Sequence, residues 1–179
     1  MTYAINIRAQ SKSAPKIYDL WDKVSEFEVN PSMKGLKYPP HFTFGLFDTI
    51  DKQILKNATA ALAENHRAQK IQFQSICYFD VSPMVLWLKA KDEQPLFEMH
   101  NSIFNNLPET LCRPHYKPEV WQPHCTLGFE VEDAFRDKAI ALTKQTMTPF
   151  EVVFDIVDCV AFPPVKVLDE LPLNRTCNS

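Results

Sequence analysis

Histidine, threonine and glycine recur at one spacing in two places. The segments Pro40-His41-Phe42-Thr43-Phe44-Gly45 and Pro123-His124-Cys125-Thr126-Leu127-Gly128 both fit P-H-x-T-x-G with apolar residues at x. The chain has only 3 glycines and 5 histidines in 179 residues, so the repeated offset, with proline before both histidines, is not chance. In a strand, side chains alternate, which predicts His, Thr and Gly at i, i+2 and i+4 on one face. Phe42, Phe44, Cys125 and Leu127 then face a core. Two such strands about a pseudo-twofold axis bring two imidazoles and two hydroxyls together. That set suits in-line phosphoryl transfer: one histidine takes a proton from the nucleophile while the other gives one to the leaving oxygen. An ordinary imidazole pKa of about 6.5 serves both roles near neutrality. The threonine hydroxyls are expected to donate to the non-bridging oxygens. Gly45 and Gly128 are expected to leave room for phosphate or sugar.

The elements that hold these motifs also repeat. Tyr3 to Arg8 alternates as a strand, Ala14 to Phe27 has helical spacing, and His41 to Phe47 is the first motif strand. Asp51 to His66 reads as a helix through Ile54, Ala58, Ala61 and Leu62, and Ile71 to Phe79 as a strand. The order then restarts with a strand at Met84 to Ala90 and a helix through Leu96, His100, Ile103 and Leu107. The second motif strand, His124 to Glu130, follows, then a helix over Val131 to Gln145 and a strand over Pro149 to Phe162. The 83 residues between the motif histidines nearly equal the separation of Tyr3 and Met84. The expectation is an α+β fold, duplicated and two-lobed. Each lobe is an antiparallel sheet with two helices on its outer face, and the site cleft lies between the lobes. Residues 1–179 are read as one such domain, with pseudo-repeats at about 1–80 and 81–162 and a C-terminal tail, 163–179, that is loop or edge cover.

Composition removes other classes. With 19 Lys+Arg against 22 Asp+Glu the net charge is −3, which disfavours a general nucleic-acid coating protein. No apolar run reaches the ~18 residues of a membrane span, and Met1 to Arg8 lacks the features of a signal peptide, so a cytoplasmic, membrane-free protein is expected. No phosphate loop or dinucleotide fingerprint is present. The cysteines at 77, 112, 125, 159 and 177 are odd in number and widely spaced, which excludes a disulfide framework and the usual zinc patterns. They read as reduced thiols.

The paired motifs resemble those of the two-histidine phosphoesterase superfamily, which includes 2′-5′ RNA ligase-like proteins and RNA 2′,3′-cyclic phosphodiesterases. The match lies in His41-Phe42-Thr43-Phe44 and His124-Cys125-Thr126-Leu127, and in the element order over about residues 1 to 162. The resemblance implies a duplicated α+β fold and no metal or other cofactor. It implies His41 as proton donor, His124 as proton acceptor, and Thr43 and Thr126 as phosphate ligands. From the sequence itself the two histidine roles are interchangeable. Many bacterial members carry an arginine shortly after the second motif; here Gly128, Phe129 and Glu130 follow, which argues against a strongly basic cleft and a long RNA substrate.

Further candidates lie in the loops before the motifs. Tyr38, Tyr116 and Trp121 are placed to stack on a base, and His115 and Arg113 to touch substrate. Lys34, Lys37 and Lys117 are candidate cleft cations. His66 and His100 read as structural. The expected reaction is opening of a 2′,3′-cyclic phosphate on an RNA end or small nucleotide to a 2′-phosphate, by a monomer. Three other readings use the same cleft: 2′-5′ ligation or cleavage, hydrolysis of an ADP-ribose cyclic phosphate, and non-catalytic binding of nucleotide or RNA.

Overall fold

The longest strand among the described residues, β6, Phe150–Phe162, decides the architecture with its 13 residues. In the computed structural model, which describes residues 1–174, the first part of β6 pairs with β3 (Gln69–Phe79) and the remainder with β1 (Thr2–Ala9). The second stretch also pairs with β7, Lys166–Pro172, at the sheet edge. The other strands are β2 (His41–Phe47), β4 (Met84–Ala90) and β5 (Cys125–Val131). All pairings are antiparallel, in the order β1-β2-β5-β4-β3-β6-β7, and the β1–β6 pairing closes six of the strands into a ring.

The α+β expectation holds, as do antiparallel sheets covered by two long helices each. The half-sheets are assembled differently from the sequence repeats. One is β2-β1-β6-β7 and the other β5-β4-β3-β6, so β3 and β6 each cross to the half-sheet of the other repeat. The helices exchange too. α1 (Pro15–Val24) packs on β5, and α4 (Gln94–Ile103) packs on β2. α3 (Lys52–Asn65) covers β6 and β7, while α5 (Arg136–Thr143) covers β3. Each motif strand is thus backed by a helix from the opposite half of the sequence. One hydrophobic cluster, including Phe42, Phe44, Cys125 and Leu127, runs beneath both half-sheets. Among the described residues no helix is long and apolar enough to cross a membrane.

Three local expectations need correction. In α3 Ala58 and Leu62 are buried as expected, but Leu55 and Thr59 complete the buried face in place of Ile54, which is exposed, and Ala61. The Pro31 loop contains a one-turn helix, α2 (Ser32–Gly35), held by the Glu28 carboxylate accepting from the Ser32 amide at 2.8 Å. The tail contributes strand β7 and the buried Leu173. Residues 175–179, with Cys177, lie outside the described residues.

The motif glycines do not open the cleft. In β2 the register runs from Ile5↔Gly45 to Asn6↔Thr43, leaving Phe44 as an extra residue, and in β5 it runs from Leu86↔Gly128 to Trp87↔Thr126, leaving Leu127 extra. Both motifs therefore carry a β-bulge at the same place, which resets the alternation. Phe44 and Leu127 are buried, and the glycine after each also turns toward protein. A Cβ on Gly45 would lie 2.8 Å from the Phe47 ring, and one on Gly128 would lie 2.6 Å from Val24 Cγ1 and 2.7 Å from Glu28 Oε1. The glycines permit close packing behind the site, not substrate access. Gly45→Ala and Gly128→Ala are each expected to cost about 1–3 kcal/mol through overpacking. Urea denaturation checks this; an unchanged midpoint for both would show that the bulges have slack.

Candidate active site

Strands β2 and β5 meet in one ladder pair, Phe42 opposite Cys125. Antiparallel pairing about that point carries His41 to the level of Thr126 and Thr43 to the level of His124. Phe42 and Cys125 are fully buried on the core side, so the two histidines and two threonines share the other face. There they are half-buried and line one cleft of about 690 Å³. The local twofold relation is the one the repeated motif implies, with each imidazole beside the other motif's hydroxyl.

Both imidazoles are held the same way. Nδ1 of His41 lies 2.8 Å from the Pro39 carbonyl, and Nδ1 of His124 lies 2.7 Å from the Gln122 carbonyl. A carbonyl only accepts, so each Nδ1 is the protonated donor and each Nε2 is left for the cleft. Tyr38 packs edge-on to His41 at 4.9 Å, and Phe79 packs edge-on to His124 at 5.2 Å. Burial pushes both pKa values below the ordinary 6.5, because the imidazolium loses hydration. The opposing influences differ between the two. The Pro39 carbonyl and the Asp158 carboxylate draw His41 upward, with Arg8 acting against them. His124 is drawn upward by the Gln122 carbonyl and pressed down by the charge of His41.

The source of that asymmetry is a buried polar network on β1 and β6. Asp158 is fully buried and accepts from the Tyr38 hydroxyl at 2.6 Å, Asn6 Nδ2 at 3.1 Å and Arg8 Nε at 2.7 Å. Arg8 also pairs with Glu170 on β7. Asn6 Oδ1 in turn accepts from the Thr43 hydroxyl at 2.8 Å. No hydrogen bond engages the Thr126 hydroxyl among the described residues, so the two threonines are not equivalent.

A model described as the 2'-5' RNA ligase superfamily matches residues 18–162, which contain both motifs. The chain belongs to this superfamily. The fold agrees: the crystal structure of E. coli LigT complexed with 3'-AMP superposes with a TM-score of 0.66 at 13% identity, covering 97% of this chain and 98% of that one. TT0787 of Thermus thermophilus superposes with a TM-score of 0.63 at 16% identity, covering 98% and 99%. A crystal structure described only as a phosphoesterase gives a TM-score of 0.56 at 14% identity, covering 97% and 98%. No curated protein matches the chain by sequence.

Within this superfamily member, His115 and Tyr116 line the cleft, and burial pushes the Tyr116 hydroxyl up to about 12. Tyr38 also lines it, but its hydroxyl is committed to Asp158 and its ring to His41. Trp121 is a correction. It is buried, stacks on His100 with ring centroids 4.1 Å apart, and offers no face to a base. Arg113 is another, since it turns away to Asp48 and Thr2. Lys34 pairs with Asp22, and none of Lys34, Lys37, Arg113 and Lys117 lines the cleft. Sequence reasoning missed Asn6, Arg8 and Asp158. A polar residue alternating within the apolar β1, and an aspartate within the apolar β6, were the available signals.

Trp121 has a different task, shared with Trp21. The Trp121 indole N–H donates to the Thr43 carbonyl at 3.0 Å, and the Trp21 N–H donates to the Thr126 carbonyl at 3.0 Å. Each tryptophan pins the backbone of a motif threonine just before its bulge, and each reaches the motif of the other sequence half. Trp21→Phe and Trp121→Phe are expected to cost about 1–3 kcal/mol each by orphaning a buried carbonyl. Hydrogen exchange is expected to quicken in β5 for Trp21→Phe and in β2 for Trp121→Phe. Quickening confined to α1 in the first variant would deny the crossed role.

Proposed function

We propose that this protein is a phosphoesterase that opens a 2′,3′-cyclic phosphate on a nucleotide or RNA end by paired histidine acid–base catalysis. The observation that carries the reading is the twofold placement of His41 and His124 across the Phe42–Cys125 pair. Both rings have Nδ1 tied to a carbonyl and Nε2 facing the cleft. E. coli LigT was crystallised with 3'-AMP and with ATP, which supports a nucleotide-sized ligand here.

The charges favour one division of labour. Asp158 favours the protonated form of His41, and a protonated His41 disfavours protonation of His124. His124 is therefore the base and His41 the acid. Nε2 of His124 takes a proton from water as the water oxygen bonds to phosphorus. The bond from phosphorus to O3′ breaks, and Nε2 of His41 delivers its proton to that oxygen. The product is a 2′-phosphomonoester. The Thr126 hydroxyl donates to a non-bridging oxygen as its charge grows. Ligation or cleavage of a 2′-5′ linkage uses the same groups, with a sugar hydroxyl replacing water in the joining direction, and the superfamily description favours keeping it as the second reading.

His41→Ala and His124→Ala are each expected to lose about 10²–10⁴ in turnover. The assay uses a 2′,3′-cyclic mononucleotide and a short 2′-5′-linked oligonucleotide, with EDTA present. The pH profile of kcat/KM is expected to be bell-shaped with its maximum below 6.5, since burial lowers both imidazoles from that value. The acid limb falls as His124 gains a proton and the alkaline limb as His41 loses one. Full activity in His41→Ala, or a flat profile, would sink the mechanism, whereas retained ligand affinity with no turnover in the wild type would identify a binding protein.

Thr43 and Thr126 separate in the same assay. Thr43 already donates its one proton to Asn6. Thr126→Val is expected to lower kcat by about 10²-fold, the scale of one transition-state donor, and Thr43→Val by less than about tenfold. Equal losses would show that Thr43 turns from Asn6 to the phosphate.

A further inference from the structure

The cationic groups that the cleft lining can offer are imidazoles, those of His41, His115 and His124. The lining includes no lysine, arginine, aspartate or glutamate. The nearby cations are neutralised or lie outside it: Arg8 by Asp158 and Glu170, Lys34 by Asp22, Arg113 by Asp48. Lys117 pairs with Glu109 and Asp80 with Arg136, while Lys37 and Lys166 adjoin lining residues in sequence as Glu119 and Glu130 do, so the rim has no positive excess.

Besides Asn6, Tyr38, His115, Tyr116 and Gln122, the walls offer apolar surface on both sides of the four motif side chains. On the first half-sheet, Ala4 and Val160 form a hydrophobic cluster with Leu36, Leu46, Phe162 and Val165, separate from the main core. Opposite them stand Phe79, Val81, Val85, Val120 and Phe129. Val81, Val120 and Phe129 are 51%, 61% and 38% exposed, and exposed large hydrophobics converging on one cleft mark a binding surface. The volume, about 690 Å³, suits one small-molecule body.

Resting on the phosphoesterase reading above, we propose that the substrate is a single phosphodiester monoanion on one compact, largely apolar or aromatic body, and that the cleft rejects polyanionic strands. Additional phosphates would be desolvated against apolar walls with no lysine or arginine as counter-charge, a cost without a return. The lone diester instead meets protonated His41 and the Thr126 hydroxyl at the centre, and its body displaces water from both walls. The monoester product carries a second charge that no lysine or arginine of the lining balances, which favours its release.

The test compares kcat/KM for a 2′,3′-cyclic mononucleoside phosphate, its 5′-phosphorylated form and a trinucleotide ending in the cyclic phosphate, from low salt to about 0.5 M. Binding of diphenyl phosphate, an apolar diester monoanion, is measured alongside by calorimetry. Each added phosphate is expected to lower kcat/KM about tenfold, with little salt dependence, against the log–log slope of roughly −0.7 per neutralised single-strand phosphate in a basic groove. Phe129→Arg is expected to recover about tenfold on the trinucleotide and to introduce salt dependence. A trinucleotide preferred by the wild type with a steep salt slope would overturn the inference and leave the phosphoesterase reading standing. Diphenyl phosphate bound with a salt-independent Kd, in a protein that turns over no diester, would overturn the phosphoesterase reading and leave the cleft's preference for a lone apolar monoanion standing as that of a binding site. Failure to bind diphenyl phosphate would overturn the inference by itself.

Discussion

Phe42 and Cys125 form the single ladder pair between β2 and β5, and the geometry of the cleft depends on that contact. Because the pairing is antiparallel and centred between histidine and threonine in both motifs, it generates a local twofold axis without further instruction. A slip of one residue on either strand would turn one histidine into the core and a buried phenylalanine or cysteine into the cleft. The core therefore protects the register. Phe42, Phe44, Cys125 and Leu127 belong to the same hydrophobic cluster, and all would have to leave it together.

The surroundings of this pair are built to hold it. Bulges at Phe44 and Leu127 end the regular alternation just beyond the threonines, and glycine follows each because two consecutive residues then face packed protein. Tryptophan N–H groups donate to the carbonyls of both motif threonines, and α1 and α4 pack on the motif strands across the sequence halves. Through this exchange the two repeats share one hydrophobic core. Neither half-sheet has its own full set of strands and helices without the other repeat.

Symmetry ends at the polar network behind His41. Among the described residues Asp158, Asn6, Arg8 and Tyr38 have no counterpart behind His124, which packs against Phe79, Trp87 and Tyr116. One imidazole faces a buried carboxylate through a tyrosine, and the other faces aromatic carbon. The mechanism proposed above needs one acid and one base from a duplicated motif, and the buried Asp158 is the charge that distinguishes the surroundings of the two rings.

The sequence by itself determined the two motifs, the order of strands and long helices, and the four side chains that share the cleft. These follow from alternation and helical spacing, which are local, and from a repeat with scarce glycine that chance does not supply. The roles expected for Trp121, Arg113 and the two motif glycines did not survive folding. A tryptophan in a loop looks the same in sequence whether its ring meets solvent or His100, and a glycine looks the same whether its missing Cβ clears a ligand or Val24. The exchange of β3, β6, α1 and α4 between halves, the convergence of Asn6 and Asp158 from positions 152 residues apart, and the cleft walls without lysine, arginine or carboxylate were decided by tertiary structure alone. They depend on which faces meet across long sequence separations, and bulges, exchanged strands and buried ion pairs leave no periodic trace.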